Sequence, residues 1–250
     1  MPSLRCCFFQ RICYNGREDA AIMFLSPFFS PAEGGQPKKG GLAMKALLIN
    51  GSPHVNGCTY TALTELSRTL EAEGIETELV QAGALTTHGC TACGQCRVTG
   101  KCVFDDVVNE TAPKLLRADA LVIGAPVYYA SPAGGAIAFM DRLFYSVGIQ
   151  SLTMKVGASV VSCRRGGNTA SFDVLNKYFT IAGMPIASSQ YWNMVYGNTP
   201  EEVLRDKEGL QTMRTLGRNM AFLMKSIQLG KAQYGLPQRE TPIVTSFHHE

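Results

Sequence analysis

Lys45-Ala-Leu-Leu-Ile-Asn50, followed by Gly51-Ser-Pro-His-Val-Asn-Gly-Cys-Thr59, decides the architecture of this chain. A short apolar run stopped by glycine is what a strand buried on both faces of a parallel sheet requires. Beyond it, Leu63, Leu66 and Leu70 fall on one helical stripe between Thr59 and Glu73, and Gly74 stands where a helix end turns left-handed. The same alternation continues. Further strands are predicted at Thr77–Gln81, Ala120–Val127 and Val156–Ser162, with a fifth within Ile186–Val195. Helices are predicted over about 133–146 and 169–182, and as one long helix from Pro200 to about Leu229. Thr199, Pro200 and Glu202 supply the N-cap, N1 and N3 residues of a capping box for that last helix, and Asp105 and Asp106 suit the start of another. Right-handed crossovers between parallel strands place helices on both faces. The pattern therefore predicts an α/β doubly wound sheet of five parallel strands, with ligands at the carboxyl ends of the strands.

Composition agrees with an ordinary globular chain of 250 residues, 46% hydrophobic and 17% charged. A domain of that size buries enough surface to fold without disulfides or metal, so a metal site here would need a chemical purpose. No apolar run approaches the ~18 residues of a membrane span, and a net charge of +3 is too slight to point to nucleic acid. Nine cysteines, odd in number and clustered, make a poor disulfide framework and fit a reducing, cytoplasmic setting. Residues 1–43 carry no sustained periodicity and end in a Gly/Pro/Lys-rich stretch, so they read as a disordered extension or as a start assigned too early. Residues 44–230 form the patterned domain, and residues 231–250 read as a tail.

The loop Gly51–Thr59 joins a buried strand to a helix N-terminus, which aims several backbone N–H groups at one point with the Ser52 and Thr59 hydroxyls nearby. It lacks the lysine of a P-loop, and it lacks the G-x-G-x-x-G and the later carboxylate of a dinucleotide site, since Gln81, Ala82 and Gly83 follow strand two. A terminal monophosphate remains. Two further loops fall at the same sheet edge. Pro126 to Ser131 offers small residues for close approach and the flat faces of Tyr128 and Tyr129, and Cys163 to Asn168 carries Arg164 and Arg165 followed by Gly166 and Gly167.

Cys90, Cys93, Cys96 and Cys102 read C-x2-C-x2-C-x5-C. Thiolates at a spacing of three wrap one face of a [4Fe–4S] cubane, and a fourth after a short Gly-containing excursion closes the set. A structural zinc, a redox-active disulfide and a loop holding nothing are the alternatives, although zinc prefers two C-x2-C knuckles separated by a longer loop. On a zinc reading the chain would be a non-catalytic, partner-binding module.

Lys45 to Thr59, then Ala125-Pro-Val-Tyr-Tyr-Ala-Ser-Pro132 leading to Phe139-Met-Asp-Arg-Leu143, resembles the NAD(P)H-dependent FMN reductases of the flavodoxin-like superfamily, and the cysteine run is similar to their iron–sulfur flavoprotein branch. The resemblance covers about residues 44–229 and implies a flavodoxin-like sheet of order 2-1-3-4-5 with the cysteine loop after strand two. It implies that Ser52, Asn56, Gly57, Cys58 and Thr59 hold the FMN phosphate, with Cys58 standing where the family often has Asn. By the same resemblance, Pro126, Val127, Tyr128, Tyr129, Ala130 and Ser131 lie along the isoalloxazine ring, and Arg164, Arg165, Gly166 and Gly167 border its pyrimidine end. The expected activity is electron transfer from NAD(P)H or a ferredoxin-type donor to a small acceptor. The flavin would carry the chemistry, so no protein acid or base is assigned. Cys90, Cys93, Cys96 and Cys102 are the expected [4Fe–4S] ligands, a cluster-free NAD(P)H:FMN or quinone reductase is the alternative, and a homodimer or homotetramer is the expected assembly.

Overall fold

A computed structural model of the protein describes residues 44–85, 88–241, 243 and 245, so the reading of residues 1–43 lies outside the described residues. The chain runs through β1 (Lys45–Asn50), α1 (Cys58–Ala72), β2 (Glu76–Gln81), α2 (Gln95–Thr99), α3 (Val107–Arg117), β3 (Ala120–Tyr128), β4 (Ser131–Pro132), α4 (Gly134–Val147), β5 (Val156–Cys163), α5 (Asn168–Ile181), β6 (Met194–Tyr196), α6 (Pro200–Arg205) and α7 (Lys207–Tyr234). Five strands are parallel in the order β2-β1-β3-β5-β6, which is the expected 2-1-3-4-5 counted over the parallel strands. The two-residue β4, which the periodicity did not show, folds back antiparallel on the end of β3.

Alternation along the strands divides the core into two layers. Leu47 and Ile49 of β1, with Leu121 and Ile123 of β3, face Phe139, Leu143 and Phe179 of α4 and α5. Leu48 and Val122 face Leu63, Leu66, Met213 and Met220 of α1 and α7. Each such leucine, fully removed from water, contributes about 1.5–3 kcal/mol. The register sets Asn50 between Gln81 on one side and Gly124 on the other, so the ends of β1, β2 and β3 open onto one edge.

Two expectations need correction. The fifth strand, expected within Ile186–Val195, is the short Met194–Tyr196, which runs one residue past that segment, and a single bridge between Gly157 and Ile186 precedes it. The last helix is two. Asp206 ends α6 and caps α7, and its carboxylate takes the Gly209 N–H at 2.9 Å and the Tyr196 N–H at 2.7 Å, tying the break to β6. A helical stripe that continues across a residue able to cap the second segment hides such a break. Thr199 caps α6 as expected, accepting the Glu202 N–H at 3.3 Å, while the return bond of the capping box goes one residue further back, Glu202 accepting the Asn198 N–H at 2.7 Å. Asp106 does cap α3, accepting the Val108 N–H at 3.0 Å. Among the described residues no helix is long and apolar enough to cross a membrane.

Candidate functional site

The loop after β1 is built by an amide clamp. Asn50, wholly buried, donates to the carbonyls of His54 (3.2 Å) and Val55 (3.3 Å) and to Oε1 of Gln81 (2.6 Å), while its own oxygen accepts the Ser52 N–H at 3.2 Å. Gln81 donates in turn to the Ser52 carbonyl at 2.6 Å. The carbonyls of Ser52, His54 and Val55 are thereby turned onto amide donors. Among the described residues the backbone N–H groups of Asn56, Gly57, Thr59 and Tyr60 have no acceptor, and Gly57 gives α1 no side-chain cap. Thr59, only 1% exposed, lies in the first turn of α1, where backbone N–H groups have no intrahelical acceptor. Uncompensated N–H groups at a helix start favour an anion.

The side chains in this loop divide by role. The Ser52 oxygen accepts the His54 N–H at 3.1 Å, which leaves its proton free to donate. Thr59 Oγ1 is 2.8 Å from Ser162 Oγ, so its hydroxyl joins the first turn of α1 to the end of β5. Its methyl packs toward Gly124, where a Cβ would come within 2.8 Å of it, and only glycine lets the helix start sit this low on the sheet. Cys58 Sγ contacts the Gly197 carbonyl at 3.6 Å, and burial together with the nearby Glu202 and Glu201 carboxylates pushes its thiol up. Cys163, buried at the end of β5, is likewise pushed up by burial. Both are thiols at neutral pH.

Beside this loop, Val127 and Tyr128 of β3 pair with Pro132 and Ser131 of β4 across a two-residue turn. Tyr129 (φ 52°) and Ala130 (φ 58°) both take left-handed conformations there, which turns of this kind normally give to Gly or Asn. Such backbone strain costs of order 1–3 kcal/mol per residue and concentrates at sites that use it. The turn projects Tyr129 fully into solvent and leaves Tyr128 43% exposed. Gly167, at φ +89°, closes against it, since a Cβ there would lie 2.5 Å from Ala130 Cα. The loop carrying exposed Arg164, Arg165 and Gly166 is thus held beside the hairpin. Asn168, buried behind it, donates to Tyr196 Oη at 2.6 Å.

The four-cysteine segment follows β2. Cys90 and Cys93 are exposed, Cys96 and Cys102 are half-buried, and all four are free thiols. The Cys93 thiol is held below its ordinary range by the Gln95 backbone N–H and the Thr91 side chain. Among the described residues no three Cys, His or carboxylate groups converge as metal ligands would. One residue outside the segment organises it. Arg142 of α4, 1% exposed, donates Nε to Cys102 Sγ at 3.2 Å, Nη1 to Asp106 Oδ2 (2.6 Å) and the His88 carbonyl (3.4 Å), and Nη2 to Asp106 Oδ1 and the Phe104 carbonyl, both at 2.9 Å. It lies three residues after Phe139 on the buried stripe of α4, and a charge on an apolar stripe is the signal that finds it. Asn50 and Gln81 were missed for another reason: they sit at strand ends, where an amide reads as a simple terminator.

Of the expected cofactor residues, the fold brings the Ser52–Thr59 loop and the Cys163–Asn168 loop together through the Thr59–Ser162 contact, and the hairpin against the latter through Gly167. The unpaired N–H groups of the first loop fit a flavin mononucleotide phosphate. The cysteine segment fits thiolate-ligated iron in its donor chemistry, not in a gathered arrangement.

The chain matches the family described as NADPH-dependent FMN reductase over residues 44–199. It is 31% identical over 193 residues to an iron-sulfur flavoprotein of Methanocaldococcus jannaschii, covering 74% of this chain and 100% of that one. It is 29% identical over 192 residues to an iron-sulfur flavoprotein of Methanosarcina thermophila, covering 74% and 97%. Among solved structures, RosB with bound 8-demethyl-8-formylriboflavin-5'-phosphate aligns with a TM-score of 0.61 at 16% identity, over 82% of this chain and 92% of that one. A flavodoxin-type, WrbA-like protein of Agrobacterium tumefaciens aligns with a TM-score of 0.52 at 16% identity, over 74% and 98%. At these identities the structural likeness shows the fold, which is flavodoxin-like.

Proposed function

The chain belongs to the NADPH-dependent FMN reductase family, in its iron–sulfur flavoprotein branch, and from that premise we propose that it takes electrons from NAD(P)H or a ferredoxin-type protein and passes them to a small acceptor. That it is an FMN-dependent oxidoreductase follows from the family; donor, acceptor and site residues are our reading. FMN, when bound, supplies the hydride and electron chemistry. The protein's part is to hold it. Backbone N–H groups of Asn56, Gly57, Thr59 and Tyr60 and the Ser52 hydroxyl donate to the phosphate, each charge-assisted bond contributing about 1.5–3 kcal/mol. Thr59 serves through its backbone because its hydroxyl is engaged with Ser162, and Cys58 lines the loop with its thiol turned to Gly197. Pro126 to Ser131 lies along the ring, and Arg164, Arg165, Gly166 and Gly167 border its pyrimidine end. There a cation favours the anionic reduced form.

The observation that carries this reading is the clamp by Asn50 and Gln81, which leaves an acceptor-hungry row of N–H groups at the edge of the sheet. Cys90, Cys93, Cys96 and Cys102 are proposed as [4Fe–4S] ligands, and the assembly is proposed to be a homodimer or homotetramer in the cytoplasm. The same domain boundaries stand as a proposal, residues 44–230 with flanking segments. A cluster-free reductase is the second reading, favoured by the lack of any converging ligand set among the described residues. Anaerobic purification tests both. The account expects a yellow protein whose flavin band bleaches with NADPH and returns with an added quinone, and iron with acid-labile sulfide after reconstitution. Bleaching without iron uptake supports the second reading, and flavin that neither NADPH nor reduced ferredoxin bleaches contradicts both.

A further inference from the structure

Cys102 is fixed from three directions. Asn109 of α3 accepts its N–H at 2.8 Å and donates to its carbonyl at 3.0 Å, which locks the backbone. Arg142 adds the bond to the sulfur. The same guanidinium reaches the carbonyls of His88 and Phe104, on either side of the cysteine run, and covers the Phe104 ring at 5.1 Å, while His88 stacks on Phe104 with centroids 4.4 Å apart. One turn further along α4, Tyr145 holds the neighbouring part of the segment. Its carbonyl accepts from Cys96 Sγ at 3.9 Å and its ring lies 5.0 Å beneath Arg97. Cys90 and Cys93 have no comparable attachment to α4 among the described residues.

We infer that Arg142 is a positioning residue for the cysteine segment, holding the Cys102 sulfur so that Cys96 and Cys102 form a fixed pair on α4 while Cys90 and Cys93 form an adjustable pair. The physical case rests on demand and supply. A buried guanidinium must have every donor satisfied, and this one finds its acceptors only in the two flanks of the cysteine run, the Asp106 carboxylate and a sulfur. It therefore holds the run closed before any ligand is present. A charged N–H aimed at a ligating sulfur also stabilises the more negative, reduced state of an attached iron–sulfur group, which raises its potential. This second consequence rests on the cluster proposed above; the first does not.

The test uses the full chain. In cluster-free protein, iodoacetamide labelling followed site by site by mass spectrometry should modify the exposed Cys93 and Cys90 first and Cys102 at least about tenfold more slowly than either, the factor expected for opening one charge-assisted bond. R142M should speed Cys102 labelling toward that of Cys90 while leaving Cys96 unchanged, and R142K should fall between. After anaerobic reconstitution with ferrous iron and sulfide, R142M should show a lower cluster potential than wild type, partly restored in R142K. Equal labelling of Cys102 and Cys90 in the wild-type protein overturns the inference even if the variants fail to fold. So does an R142M that speeds Cys96 as much as Cys102, which is general loosening. An R142M whose reconstituted cluster has the wild-type potential overturns the second consequence. Should wild type take up no iron, the cluster proposal fails while the labelling comparison still decides the inference.

Discussion

Replacing Asn50 with Asp changes one atom's chemistry at nearly constant shape and should separate phosphate binding from everything else the protein does. The carboxylate can still accept the Ser52 N–H, but the donations to His54, Val55 and Gln81 are lost, and three oxygens then face a negative charge. The amide shares two protons among the three acceptors, and at about 0.5–1.5 kcal/mol net for each neutral hydrogen bond they contribute on the order of 2 kcal/mol. Two of the acceptors are carbonyls of exposed loop residues and can turn to water, so the folded protein should lose only part of this. The rest falls on the ligand, because the carbonyls that turn outward point at the phosphate. A loss of about 1.4 kcal/mol is a ~10-fold weaker Kd. Quenching of flavin fluorescence, titrated with FMN and with riboflavin in parallel, reads this directly. The expected outcome is at least about a tenfold loss for FMN and less than about a threefold loss for riboflavin. FMN affinity close to that of wild type, or an equal loss for both ligands, would refute the reasoning.

Gly167→Ala sets a Cβ 2.5 Å from Ala130 Cα at a φ of +89°, and should cost about 1–3 kcal/mol in urea unfolding while weakening flavin quenching through a displaced hairpin. Thr59→Val leaves the Ser162 hydroxyl without its partner at 2.8 Å; about 1–3 kcal/mol should be lost in the same assay, with Thr59→Ser restoring most of it. Tyr178, whose hydroxyl donates to Asp141, has its pKa raised above the ordinary 10.0 by burial first and by that carboxylate second. The folded state keeps this proton where the unfolded state releases it. Its contribution is therefore complete below pH 10.0 and declines as the pH rises beyond it, and Tyr178→Phe should flatten that decline in urea midpoints measured across alkaline pH.

The sheet was legible because its three central strands, β1, β3 and β5, are runs of apolar residues that no other structure would bury so fully, and the mostly polar edge strand β2 follows a helix stop at Gly74. The last strand, short and at the edge, has only Met194 and Val195 buried, and a three-residue strand carries no period to read. The break at Asp206 was hidden because helical spacing continues on both sides of it. The candidate site was legible where it is made of main chain, since glycine, serine and threonine before a helix announce N–H donors. It was illegible where side chains from distant elements act on the loops. Nothing near Asn50 says that Gln81 completes its clamp, and Arg142 lies 40 positions from the sulfur it holds. The cysteine spacing announces four thiols; whether they gather depends on contacts with α4 that spacing does not contain.

The most direct test of the account is a calorimetric titration of flavin-free protein with FMN, with riboflavin as the phosphate-less control. The account predicts saturable heat with one FMN bound per chain and much weaker binding of riboflavin. An absence of heat with FMN, or riboflavin binding as tightly as FMN, would contradict it.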